Sequence, residues 1–117
     1  MRLPRPRLTI RLMLVLVAVA ALVLAVEATR RRMVDLSRAY MRRAMEHQDK
    51  ADVASLSALE CQEALERGRP PDPKYAKWSI GYRRLFEFHR TMRRKYLRAA
   101  TRPWLPIAPD PPPPPEP

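Results

Sequence analysis

Apolar residues run unbroken from Leu12 to Val26, fifteen positions without a charge or a polar side chain. Arginines flank the run, with Arg2, Arg5, Arg7 and Arg11 before it and Arg30, Arg31 and Arg32 after it. At about 1.5 Å per residue, a helix of this run covers only about 22 Å of a hydrocarbon core about 30 Å thick. Counting from Leu8 lengthens it to about 28 Å, provided Arg11 snorkels toward the headgroups. A backbone in lipid must satisfy its own hydrogen bonds, so a single segment crosses only as a helix. The pattern predicts a basic, proline-interrupted arm at 1–7 and a transmembrane helix at 8–28. A buried core helix is the alternative, but the rest of the chain holds nothing apolar enough to wrap one.

A cleaved signal peptide is the closer rival. The basic start, apolar middle and small-residue pattern Val26-Glu27-Ala28 all fit one. Arg30 to Arg32 would then lie just past the cut. Moving each charge against a membrane potential costs about 2.3 kcal/mol per 100 mV, which favours an uncleaved anchor. Six arginines occupy the first twenty residues after Val26, against four before the run. That balance leans toward a cytoplasmic C-terminal part.

Between Arg7 and Gly68 there is neither glycine nor proline, and Ala, Leu, Met, Arg and Glu dominate. The first helix is therefore expected to continue over 29–67. Glu46–Lys50 and Glu63–Arg67 support it as i,i+4 pairs. Gly68-Arg69-Pro70-Pro71 then breaks the chain, giving a turn at 68–72. Asp72 offers an N-cap and Pro73 suits the first helical position, so a second helix is expected over 73–100, stopped by Pro103.

The second helix carries one apolar stripe: Tyr75, Trp78, Tyr82, Leu85, His89, Met92, Tyr96 and Ala99. The same stepping upstream picks out Met33, Ser37, Tyr40, Ala44, His47, Ala51, Ala54, Ala58, Cys61 and Leu65. Folding at the turn sets Leu65 against Tyr75, Cys61 against Trp78, Ala58 against Tyr82 and Ala54 against Leu85. Ala51 then meets His89, Ala44 meets Tyr96 and Tyr40 meets Ala99. Small residues oppose large ones nearly throughout, as interdigitated packing needs. The predicted fold is all-α: a transmembrane helix running into an antiparallel helical hairpin at 29–102, then a Pro-rich extended tail. A homodimeric coiled coil would use the same stripes.

Composition narrows the chemistry. Of 117 residues, about 75 remain for the hairpin, near the size at which a domain is marginal alone. Cys61 is the only cysteine, so neither an intrachain disulfide nor a CxxC motif exists. Its place beside Trp78 suits a small core residue, with no helical-spaced base to activate it. His47 and His89 fall one layer apart on the seam. They are set to hydrogen-bond across it, with a two-histidine metal or haem contact as the alternative. The carboxylates of Asp49 to Glu66 have no histidine or cysteine at ligand spacing and read as a solvated face. Neither a nucleophile–base pair nor a metal-ligand cluster is visible, so no catalysis, cofactor or metal is expected.

The net charge of +11 is concentrated on the outer face of the second helix. Arg83, Arg84, Arg90, Arg93, Arg94, Lys95 and Arg98, followed by Arg102, face only Glu87. This face is a candidate anion-binding surface, solvated or laid on anionic lipid. No aromatics interleave with the arginines, which argues against nucleic acid. The tail, 103–117, holds most of the fourteen prolines and is expected to be extended or polyproline II, without a core of its own. Trp104, Leu105 and Ile107 are its apolar residues able to fold back onto the hairpin's end. Pro103-Trp104-Leu105-Pro106 also fits a PxxP pattern.

The opening Arg7-Leu8-Thr9-Ile10-Arg11-Leu12-Met13 before an Ala/Val/Leu run resembles the start of uncharacterised short single-span membrane proteins of planctomycete-type bacteria. Met92-Arg93-Arg94-Lys95-Tyr96, Ala99-Ala100, Pro103-Trp104-Leu105-Pro106 and Pro109-Asp110-Pro111-Pro112 are similar to their C-terminal end. The resemblance implies a membrane-anchored architecture and assigns no activity or site. The span, the paired stripes and the lack of a catalytic set point to a non-enzymatic interaction or scaffold module, partnered by the bilayer and by a second copy or another protein; the alternative is anionic-lipid or nucleic-acid binding through the basic face of 83–102.

Overall fold

The computed structural model describes residues 10–67 and 72–117. Among them there are two helices and no strand, α1 (Ile10–Arg67) and α2 (Pro73–Thr101). The basic arm at 1–7 and the turn residues 68–71, including Gly68, lie outside the described residues. The chain divides into two compact units that meet at Val34 and Asp35, and α1 contributes to both.

In the first unit, every side chain from Ile10 to Val26 is exposed. The fifteen apolar residues are helical, and nothing among the described residues covers them. The helix continues through the charged flank without a break. Thr29 donates its hydroxyl back to the Ala25 carbonyl at 2.8 Å, and Arg31 pairs with Glu27 at 3.0 Å. Both are local i,i+4 contacts on an exposed surface, worth a few tenths of a kcal/mol.

The second unit is built on the facing stripes of α1 and α2. Asp72 caps α2 through its carboxylate, which accepts from the Lys74 N–H at 2.9 Å, and Pro73 occupies the first turn. Cross-contacts run in antiparallel order: Ser37 with Ala100, Arg43 with Tyr96, His47 with His89. The Ser37 hydroxyl donates to the Ala100 carbonyl at 2.7 Å, satisfying one of the acceptors that a helix C-terminus leaves open. From Ser37 to Leu65, every predicted seam position of α1 is buried or half-buried. The buried ones are small: Ala44, Ala51, Ala54 and Cys61. Those of α2 are mostly large: Leu85, Met92 and Tyr96, with Ala99 and Ala100 at the end. Ala44, Met92 and Tyr96 form the core cluster, with Tyr40, Phe88, Leu97 and Ile107 against it.

Two expectations change. Trp78 is 39% exposed and stands edge-on to Tyr75, so it closes little of the seam. Polar neighbours on either side, Lys77 and Ser79, leave that first part of α2 less sharply sided than the turns around Met92. The tail also differs. It is extended, as its prolines require, yet residues 107–117 lie along the α1–α2 seam. Ile107 packs against the core cluster, and Pro113, Pro114, Glu116 and Pro117 border a groove with Ala54, Tyr82, Leu85 and His89. Pro117 reaches Gly81, where an added Cβ would sit 2.7 Å from its ring. Glycine is needed there because the chain passes so close. Trp104 and Leu105, expected to fold back, remain exposed. Two helices alone bury little, and the tail supplies the third layer that a unit of this size needs.

Met92, 2% exposed, is the largest fully buried side chain. Met92→Ala is expected to cost about 2–5 kcal/mol in chemical unfolding of the detergent-solubilised chain. Ala44→Leu should overpack the same layer and cost about 1–3 kcal/mol. Arg90→Ala, on the exposed face, should stay within about 0.5 kcal/mol.

Candidate functional site

Two constellations of polar side chains stand out in the second unit. The first surrounds Tyr96. Its ring is stacked on His47, 5.6 Å between centroids at 10°, with Tyr40 at 6.2 Å on another side. Its hydroxyl donates to Asp110 and accepts a long hydrogen bond of 3.4 Å from Arg43. Asp110 also receives the Lys95 ammonium, which in turn donates to the Ala108 carbonyl. One tail carboxylate thus ties α2 to the tail at two side chains, and reaches α1 only through Tyr96. The Lys95 ammonium holds the Asp110 carboxyl below its ordinary value, helped by the Tyr96 hydroxyl. Burial pushes the Tyr96 phenol up, and its hydrogen bond to Asp110 adds to that.

His47 and His89 meet directly, Nδ1 to Nδ1 at 2.9 Å, a hydrogen-bond distance. They are in contact rather than a layer apart. The link requires one ring to donate and the other to accept, so one Nδ1 must be unprotonated. Burial lowers both imidazoles from their usual value. The cations of Lys50 and Arg43 also lower His47, while Asp110 and Glu46 oppose this, and His47 and Lys50 lower His89 further. Both changes favour the neutral pair near pH 7. Among the described residues, no group of three or more potential metal ligands gathers.

The second constellation is the basic face of α2. Arg83, Arg84, Arg90, Arg93, Arg94 and Arg98 are exposed, while Lys95 is half-buried under the tail and already paired with Asp110. Lys95 also borders the groove described next, with its charge already answered by the chain's own carboxylate. Arg102, the C-cap residue just past the end of α2, adds a further cation at this end. Arg94, Arg98 and Arg102 line one side of a groove of about 800 Å³, and Leu105 to Ala108 of the tail form the other. No acidic side chain lines it. The partial negative charge of a helix C-terminus opposes an anion by about 0.3–1 kcal/mol. Three arginines at about 1 kcal/mol each near an anionic surface outweigh it.

Sequence periodicity located the histidines and the arginines. It missed Asp110 as the anchor of the tail and Phe88 and Leu97 as flanks of the core. The available signal was a lone carboxylate within the prolines, opposite a helix rich in cations. No family model, no curated protein and no solved structure matches this chain.

Two pH effects follow. Histidines whose folded values lie below 6.5 bind fewer protons than in the unfolded chain, so stability is full above that value and falls as pH drops below it. His47→Phe should flatten this slope between pH 7.5 and 5 in thermal melts. The Asp110 contribution has the same sign in a lower pH window: it is present above the usual carboxylate value of 3.8 and is lost only as pH falls through its lower folded value. Nuclear Overhauser contacts from Ile107 and Pro117 to the helices should therefore persist at pH 5, and Asp110→Asn should weaken them at neutral pH.

Proposed function

We propose that this chain is a single-span membrane protein whose two-helix unit, strapped by its tail, is a non-enzymatic interaction module. The observation that carries the reading is the first unit. An eighteen-residue apolar window of α1 has none of its length buried, although it is long and apolar enough to cross a bilayer. Ten leucines and valines in the run contribute about −3 to −6 kcal/mol on an insertion scale, enough to outweigh an edge arginine that snorkels. The uninterrupted helix through Arg30 to Arg32 favours an anchor over a cleaved leader. The C-terminal part leans to the cytoplasmic side on arginine balance. The resemblance to short single-span bacterial proteins agrees with this architecture.

The antiparallel order of the cross-contacts supports an intramolecular hairpin. A second copy of the chain would use the surface that the tail leaves open. The basic face of α2 supplies a further partner reading, favoured by the convergence of three arginines on one groove.

Carbonate extraction of membranes from expressing cells, with protease protection of a C-terminal tag, tests the span. The chain is expected in the pellet at full length, with the tag protected in intact cells. Recovery of a shortened, freely soluble chain would sink the anchor and indicate a secreted protein.

A further inference from the structure

We infer that the groove between α2 and the tail, walled by Arg94, Arg98 and Arg102, is a docking site for anionic lipid headgroups. The inference rests on the membrane-anchored reading and gives that module its partner.

Three observations converge on one end of the unit. First, Arg94 and Arg98 stand one helical turn apart on α2, and Arg102, its C-cap residue, borders the same groove. None has an acidic partner within ion-pair distance among the described residues. Guanidinium forks suit phosphate oxygens, which accept two parallel N–H bonds. Second, the opposite wall is apolar backbone and side chain, Leu105 to Ala108, held in place because Ile107 is seated on the core cluster. Third, Trp104 and Leu105 stand at this end exposed by 63% and 48%, with no packing role that accounts for them. An exposed indole beside arginines is the composition of a membrane–water interface, where the ring sits among headgroups and cations bind phosphate.

The placement along the chain fits. Ser37 hydrogen-bonds to Ala100, so this end of α2 lies beside the part of the second unit that follows the apolar run most closely in sequence. A duplex nucleic acid would use the arginines but give Trp104 and Leu105 no apolar environment. A single strand could stack on one indole, but no further aromatic lines the groove to continue the stack.

The test uses the full chain with Trp78→Phe, so that Trp104 is the only indole, reconstituted in nanodiscs of phosphatidylcholine with and without phosphatidylserine. Phosphatidylserine should shift Trp104 emission to the blue and allow brominated lipid to quench it, and salt should reverse both changes. Arg94→Gln, Arg98→Gln and Arg102→Gln should each lower the docking constant roughly fivefold, and the triple variant roughly a hundredfold. Arg84→Gln removes the same charge outside the groove and should change it less than twofold. Circular dichroism keeps the comparison to variants that retain full helicity. An emission spectrum indifferent to phosphatidylserine would overturn the proposal, as would an equal shift in the triple variant. So would an oligonucleotide that binds phosphatidylcholine nanodiscs through these three arginines while anionic lipid has no effect. Carbonate extraction separates the two readings. A triple variant that stays in the pellet but loses the Trp104 response confirms the groove with the span intact. Pelleting without any Trp104 response in the parent chain refutes the groove and leaves the span standing. A chain that washes off refutes the span, and sedimentation with phosphatidylserine vesicles then decides the groove alone.

Discussion

The close approach of α1 and α2 is the constraint on which the second unit depends. Ala44, Ala51 and Ala54 present almost no side chain, so Met92, Tyr96 and Leu85 reach the facing helix and are covered by it. Larger residues on α1 would hold the helices apart and uncover the core. Small ones on both helices would leave too little apolar area to offset the entropy of ordering the chain. The arrangement leaves one side of the seam open. Here the tail lies, held by apolar contact at Ile107 and Pro117 and by charge at Asp110. Because Asp110 bonds to Lys95 and Tyr96, and Tyr96 stacks on His47, the strap and the histidine pair share one network. Such a network is worth more intact than its separate bonds suggest, since each member polarises and positions the next.

Much of the architecture was legible in residue order. The apolar run, the Asp72 cap with Pro73, and the two stripes each rest on a local rule of composition or spacing. The stripes named the buried faces of both helices almost position by position from Ser37 to Ala99. What spacing cannot supply is lateral partnership. It put His47 and His89 on one seam and set them to hydrogen-bond across it, but could not say which ring atoms meet, because small rotations of two helices decide that. It also assigned Lys95 to the basic face, since periodicity sees a cation and not the carboxylate fifteen residues away that answers it.

The tail was the least legible part, for a physical reason. A polyproline segment has no backbone donors to pair and no helical or strand period, so its docking depends on a few contacts between distant positions. Asp110 and Ile107 carry most of that information, and each is a single residue in a featureless stretch. Trp104 and Leu105 show the converse. They are the apolar residues a sequence reader would bury, and they stand outside.

The cross-contacts also set how the second unit responds to load. They are graded in sequence separation: His47–His89 spans 42 residues, Arg43–Tyr96 53 and Ser37–Ala100 63. Loop entropy grows slowly with separation, so closing the longer pairs adds only small increments once the shorter ones are made. The strap runs the other way, ending at Gly81. A pull on the C-terminus, resisted at the start of α1, would therefore peel Pro117 and its neighbours one at a time, meeting little resistance until Asp110. There the ion pair and the tyrosine bond must fail together, and the force would rise in a single step. The tail is in this sense a mechanical fuse, with its threshold set by one carboxylate.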